Sequence, residues 1–124
     1  MKPGSQSLLS KSKENFELAL ELKENRRFNA AANRFYYSAF QAIKAYAVEK
    51  GKMQMEEDSG VHKKVKQIAK DEDKKYRDIM EDAYNFRVTA DYLAEDIQDY
   101  ELTQKFQNDI QEIHDHFEAL AKSA

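Results

Sequence analysis

The sequence of 124 residues contains no cysteine, one proline and three glycines, and these absences exclude several classes of protein. Without cysteine, the chain can form neither a disulfide framework nor a thiolate metal site. No apolar run approaches the roughly 18 residues of a transmembrane helix, so we expect no membrane partner. Residues 1–12 are polar and lack the apolar segment of a signal peptide, which makes the cytoplasm the expected compartment.

Motifs for cofactors and common catalytic chemistry are absent as well. The sequence has no Gly-rich phosphate loop, no Ser-His-Asp arrangement and no His/Cys ligand set. Glu56, Glu57 and Asp58 lack the spacing of a calcium-binding loop. His114 and His116 are two residues apart and point to different faces of a helix, so we expect surface polar side chains. The sequence therefore predicts no cofactor and no metal.

The residues that are present indicate a small helical protein. Hydrophobic residues make up 41% of the chain and charged residues 35%. A chain of this length forms one domain, and many charges with few helix breakers are typical of a soluble helical bundle. The formal net charge of −3 gives no overall attraction to phosphate. Nucleic-acid binding would therefore need a local basic patch or an assembled groove.

Apolar residues recur at helical spacing in five segments. The pattern predicts helices over residues 5–24, 28–50, 61–69, about 71–93 and about 100–121. Gly51 is the expected C-cap of the second helix, and Asp71 the expected N-cap of the fourth. We expect flexibility in the glycine-flanked loop 51–60 and at the ends, roughly residues 1–5 and 122–124. The prediction is one all-α domain over residues 1–124, an antiparallel up-and-down bundle of four long helices and one short helix.

The second helix carries apolar residues on more than one side. Phe35, Tyr36, Tyr37 and Phe40 do not fit a single stripe, and a helix apolar nearly all round is normally buried on several sides. Two explanations stay open: a central core helix within a monomer, or a helix partly covered by a second subunit. Tyr36, Tyr37 and Tyr46 could also form a stacking platform for bases, although aromatics at helical spacing usually belong to a core.

Polar residues follow the apolar pattern of the fourth helix in the stretch "NFRVTADYL". Arg87 and Asp91 are four residues apart and face the same side of a helix. In one interpretation they form an ion pair that fixes the helix end. In the other, the fork of Arg87 binds phosphate, Asp91 orients it, and Tyr92 stacks or forms a hydrogen bond.

A short basic cluster, "HKKVK", follows the mid-chain loop. Charge runs of this kind usually form a solvated face. The alternative is a patch that binds RNA or phosphate.

These motifs resemble the HEPN domain family, in its small stand-alone bacterial and archaeal members. The second helix resembles the family's Ala-x-x-Arg-x-Tyr-Tyr-x-x-Phe pattern. The basic cluster resembles a histidine with basic residues that members often carry after the mid-chain loop. The stretch at the end of the fourth helix resembles the family's Arg-x-x-Ala-Asp-Tyr pattern. The matching residues are Ala31, Arg34, Tyr36, Tyr37, Phe40, His62, Lys63, Lys64, Arg87, Ala90, Asp91 and Tyr92. The resemblance covers roughly residues 5–120 and implies a helical bundle that commonly dimerises.

The chain departs from the motif of the family's active ribonucleases. Those enzymes resemble one another in an Arg-x(4–6)-His motif near the dimer interface. Counted from Arg87, the histidine should fall at one of three positions occupied here by Tyr92, Leu93 and Ala94. Histidine suits proton transfer and arginine suits the phosphorane charge, whereas a tyrosine with a reference pKa of about 10 is a poor base at neutral pH. We therefore expect no metal-independent RNA cleavage.

The resemblance implies a dimeric module that binds RNA, a nucleotide or a partner protein, such as a nucleotidyltransferase in a toxin–antitoxin or defence pair. The expected ligand contacts are Arg34, Arg87, Asp91, Tyr92, His62, Lys63 and Lys64. The alternative is a divergent metal-independent ribonuclease toxin. Its catalytic candidates are Arg87 and Tyr92, or a histidine brought from the partner subunit.

Overall fold

The structure is a computed structural model, which describes residues 1–123. Five α-helices and one short 3₁₀ helix (Asp99–Glu101) follow one another along these residues. The α-helices are α1 (Pro3–Glu24), α2 (Phe28–Glu49), α3 (Val61–Glu72), α4 (Lys74–Tyr92) and α5 (Gln104–Lys122). The predicted all-α bundle of four long helices and one short helix is confirmed.

Contacts between side chains give the direction of each helix. Lys2 at the start of α1 bonds to Glu49 at the end of α2, and Ser12 bonds to Ser38, so α1 and α2 are antiparallel. Contacts of α4 with α2 and with α5 likewise join the start of one helix to the end of the other, so α4 is antiparallel to both. α2 and α5 run parallel across the diagonal of the bundle. α3 packs on α4 in the opposite direction.

α2 lies at the centre of the bundle. Every residue of this helix is buried or half-buried within the single chain, including five alanines with no exposed surface (Ala31, Ala39, Ala42, Ala45 and Ala47). Alanines let neighbouring helices approach closely, and α1, α3, α4 and α5 all pack against α2. The central-helix explanation thus accounts for most of the apolar coverage of α2. Tyr37 and Phe40 remain half-buried.

The predicted N-cap of α4 is wrong. α3 continues to Glu72, which places Asp71 inside a helix, where its carboxylate accepts a hydrogen bond from Gln67. Asp73 has the extended backbone of a cap, and its side chain accepts a hydrogen bond from the backbone N–H of Lys75 at 2.9 Å. The aspartate that leaves the helical conformation is the one able to cap the next helix.

Two predicted helix starts also differ from the structure. α1 begins at Pro3, in the first helical turn that suits proline, and Ser5 is fully buried. α5 begins at Gln104, capped by Thr103, whose side chain accepts a hydrogen bond from Phe106. The preceding residues 99–101 form the separate 3₁₀ helix.

The connection between α2 and α3 has one buried side chain, that of Met53, which is 4% exposed. Gly51 and Gly60 at its ends have φ values of +74° and +67°, a region that favours glycine. The flexibility of residues 51–60 and of the chain ends stays a prediction, and residue 124 lies outside the described residues. In the described part of the chain, no helix combines the length and hydropathy needed to cross a bilayer.

Candidate ligand-binding site around Arg87

Arg87 lies among tyrosines contributed by two helices. Its guanidinium carbon is 5.4 Å from the ring centroid of Tyr36, 5.3 Å from that of Tyr37 and 5.6 Å from that of Tyr92. Contacts of this kind between a cation and aromatic faces are favourable. The side chain is 19% exposed, and its Nη2 lies 3.4 Å from the Tyr92 hydroxyl. Arg87 is therefore a half-buried arginine with Tyr92 beside it.

The expected pairing of Arg87 with Asp91 is also present. Nε of Arg87 lies 3.5 Å from Oδ2 of Asp91, one helical turn further along α4. This contact is an ion pair by distance but not a well-formed hydrogen bond, since the buried Nε has no hydrogen-bond partner. The better bond of Asp91 comes from Asn33 of α2, whose Nδ2 donates to Oδ2 at 2.9 Å.

Arg34 extends this polar network along α2. It donates to Oδ1 of Asn33 and to Oδ1 of Asn15 on α1, and its guanidinium carbon lies 5.6 Å from the ring centroid of Tyr37. Arg34 and Arg87 therefore both contact Tyr37. The structure brings together Arg34, Arg87, Asp91 and Tyr92, four of the residues expected to contact a ligand; their contact with a ligand stays a prediction.

His62 joins the same site from α3. Its Nδ1 lies 3.1 Å from the hydroxyl of Tyr36, and its ring stacks on Tyr84 with centroids 3.7 Å apart. Burial, and then the nearby positive charges of Lys66 and Arg87, lower the pKa of His62, while Glu81 opposes this shift. Burial raises the pKa of Tyr36 despite Arg87. Both groups therefore favour their neutral forms.

We name these residues the Arg87 cluster: Tyr36, Tyr37, His62, Tyr84, Arg87 and Tyr92. A ligand at the cluster would meet the guanidinium of Arg87, the aromatic rings and the tyrosine hydroxyl groups. Nε2 of His62 is buried and has no hydrogen-bond partner among the residues described. This nitrogen is therefore not open to a ligand in the solvent in the observed arrangement.

Lys63 and Lys64 lie apart from His62, although the three are consecutive. They line a groove of about 700 Å³ between α3 and α4. We name it the basic groove, and its cations are Lys63, Lys64, Lys66, Lys70 and Arg77. The "HKKVK" motif is thus divided between the Arg87 cluster and the basic groove, because successive helical residues point to different faces.

Sequence reasoning missed two features of the polar interior. Tyr84 was not among the expected ligand contacts, but it stacks on His62 inside the cluster. His114 was expected at the surface; it is buried, with Nδ1 2.8 Å from the hydroxyl of Ser12. His116 points elsewhere and meets Glu72 at 3.0 Å, so the expectation of different faces is confirmed. Within residues 1–123, no group of three or more potential ligands could hold a metal ion.

The fold and the site together define an all-α bundle with an arginine and tyrosines gathered on one side of its second and fourth helices. The HEPN domain matches residues 5–120, and the chain belongs to the HEPN domain family. No curated protein matches the chain. Family membership supports a module related to nucleotides or RNA in general terms.

Proposed function

We propose that the chain is a dimeric HEPN-type module that binds RNA, a nucleotide or a partner protein through the Arg87 cluster, without cleaving RNA. The observation that carries the proposal is the position of Arg87, held between aromatic rings and next to Tyr92. A guanidinium fixed in this way suits phosphate, which it binds bidentately. Tyr92 is 70% exposed in the single chain, so its ring can contact a base bound at the edge of the proposed dimer interface.

The histidine of the family's ribonuclease motif is missing beside Arg87. Tyr92, Leu93 and Ala94 occupy the positions at which the family motif has its histidine. The histidine of the cluster, His62, has its free nitrogen buried. These two observations support binding without catalysis.

Binding is tested by the fluorescence anisotropy of a short labelled single-stranded RNA and of a labelled nucleotide. We expect Arg87→Ala to weaken binding about tenfold, since a hydrogen bond to a charged group contributes about 1.5–3 kcal/mol. Arg27→Ala is the matched control, because it removes the same charge from an exposed position outside the cluster. Equal effects of the two substitutions would contradict the proposal.

A partner of the chain is part of the same proposal. HEPN domains often dimerise, and Tyr92 and Leu93 are exposed beside Arg87. A nucleotidyltransferase in a toxin–antitoxin or defence pair is the protein partner we propose. A gene for a small nucleotidyltransferase next to the gene for this chain, and co-purification of the two products, would support it.

The second candidate function is a divergent metal-independent ribonuclease toxin. One observation favours it: Tyr36 contacts both His62 and Arg87, so a histidine and an arginine share one site. The test is incubation of the purified protein with RNA in the presence of a chelator. Cleavage that disappears in Arg87→Ala, His62→Ala or Tyr92→Phe would move the protein into the enzyme class.

A further inference from the structure

The basic groove contains more positive charge than its own carboxylates neutralise. Three of its cations have ion-pair partners: Lys64 with Glu57, Lys66 with Glu81, and Arg77 with Asp78. Among the described residues, Lys63 and Lys70 have none. Both have exposed side chains on α3. The groove thus offers two exposed cations without an ion-pair partner within residues 1–123 beside three paired ones, in a chain whose net charge is negative.

The groove has no apolar anchor. Its lining residues are charged apart from Gly60 and Gln67, and none is a large hydrophobic or aromatic side chain. Protein partners typically bind through a buried apolar or aromatic centre. A phosphodiester backbone needs only cations and polar donors, and binds without regard to sequence. The composition of the groove therefore favours a nucleic-acid backbone over an acidic protein.

The groove and the Arg87 cluster share α4. Arg77 lines the groove and Arg87 lies ten residues further on, about 15 Å along the helix axis. The two sites also meet on α3, where His62 of the cluster directly precedes Lys63 of the groove. A single strand of a few nucleotides is long enough to contact both.

We propose that the basic groove binds the phosphodiester backbone of single-stranded RNA, as a second anion-binding site beside the Arg87 cluster. The inference rests on the proposed function only for the class of ligand. The groove supplies affinity without reading sequence, because it has no aromatic ring on which a base could stack. Base contacts then belong to the tyrosines of the Arg87 cluster.

The test compares Lys63→Gln/Lys70→Gln with the control Lys11→Gln/Lys13→Gln, which removes the same charge from exposed positions on α1. The affinity for a short single-stranded RNA is measured by fluorescence anisotropy across a range of salt concentrations. We expect the groove variant to bind about tenfold more weakly at low salt. The slope of log affinity against log salt concentration should be smaller in magnitude by about 1.4, because two phosphate contacts are lost. Circular dichroism checks that both variants fold.

The outcomes separate this inference from the proposed function. A groove variant with the affinity and salt slope of the wild type, or of the control, overturns the inference, even if Arg87→Ala still weakens binding. Weaker binding in the groove variant but not in Arg87→Ala supports the groove and contradicts the proposed role of Arg87. Wild-type protein that binds no RNA overturns the inference. A groove variant that loses a protein partner but still binds RNA as the wild type does also overturns the inference.

Discussion

At the scale of single residues, the imidazole of His62 has two nitrogens in different surroundings. Nδ1 faces the Tyr36 hydroxyl, whereas Nε2 is buried without a partner. The protonated ring carries a positive charge and an N–H group at Nε2 that has no partner among the residues described, and burying such a charged group is costly. The packing around His62 therefore favours the neutral ring.

This preference makes stability depend on pH. The folded-state pKa of His62 is lowered, while the unfolded chain titrates near pH 6.5. The contribution of neutral His62 is thus fully present above about pH 6.5 and is lost as the pH falls towards the folded-state pKa. We predict that the free energy of unfolding, measured with urea, decreases from about pH 7 to 5. The decrease should be smaller in His62→Phe, which keeps a ring against Tyr84. Identical pH dependence in the two proteins would contradict this prediction.

A second residue-scale prediction concerns Ser12, which joins three helices. Its hydroxyl lies 2.6 Å from the carbonyl oxygen of Ser38 and 2.8 Å from Nδ1 of His114, all buried. Ser12→Ala leaves these groups without that partner, so we predict a loss of about 1–3 kcal/mol in the free energy of unfolding. The control Ser10→Ala lies on the exposed side of α1 and should change it by less than about 0.5 kcal/mol. Similar losses in both would show that the buried network contributes little.

Local contacts of the candidate site could be predicted from the sequence, and distant ones could not. The pairing of Arg87 with Asp91 follows from their spacing on one helix. The bond from Asn33 to Asp91 joins residues 58 positions apart, and that between Tyr36 and His62 spans 26. Such contacts depend on how helices pack, which periodicity does not specify. For the same reason, the burial of His114 was not foreseen.

At the scale of elements, periodicity found all five helices because each has an apolar face to bury. It located their ends less well. The run "DED" offers three carboxylates at the junction of α3 and α4, and helical spacing does not say which of them leaves the helix. The predicted start of α5 was too early, because Tyr100 and Leu102 continue the apolar pattern of α5 through the 3₁₀ helix and the following bend.

The junction itself gives a prediction. Asp73→Ala removes the cap of α4 and should lower the free energy of unfolding by about 1 kcal/mol. Asp71→Ala is the matched control, since this exposed residue bonds only to the Gln67 side chain within α3. Its effect should be smaller, and chemical denaturation of both variants measures the difference. A larger loss in Asp71→Ala would contradict the assignment of the cap.

At the scale of the whole molecule, the question is whether two copies associate. α2 is covered by the chain's own helices, so its apolar coverage no longer argues for a partner. The remaining support is the family's tendency to dimerise and the exposure of Tyr92 and Leu93 next to Arg87. The proposed interface therefore involves the end of α4 and the half-buried side of α2.

We predict a homodimer at micromolar concentration, measured by light scattering. Tyr92→Asp should shift the protein towards the monomer, because it places two negative charges near the proposed two-fold axis. Tyr100→Asp is the control, as Tyr100 is 79% exposed on the 3₁₀ helix outside that region. A wild-type monomer, or equal dissociation of both variants, would rule out this interface.

The pairing of α1 with α2 has a consequence for the order of folding. These helices are joined by residues 25–27, whereas α5 must place His114 on Ser12 across 102 positions. Closing a short loop loses less chain entropy than closing a long one. We therefore expect the α1–α2 hairpin to form in the transition state and α5 to dock afterwards. In stopped-flow experiments, Leu9→Ala should mainly slow refolding and Ile113→Val should mainly speed unfolding; the reverse pattern would place α5 in the nucleus.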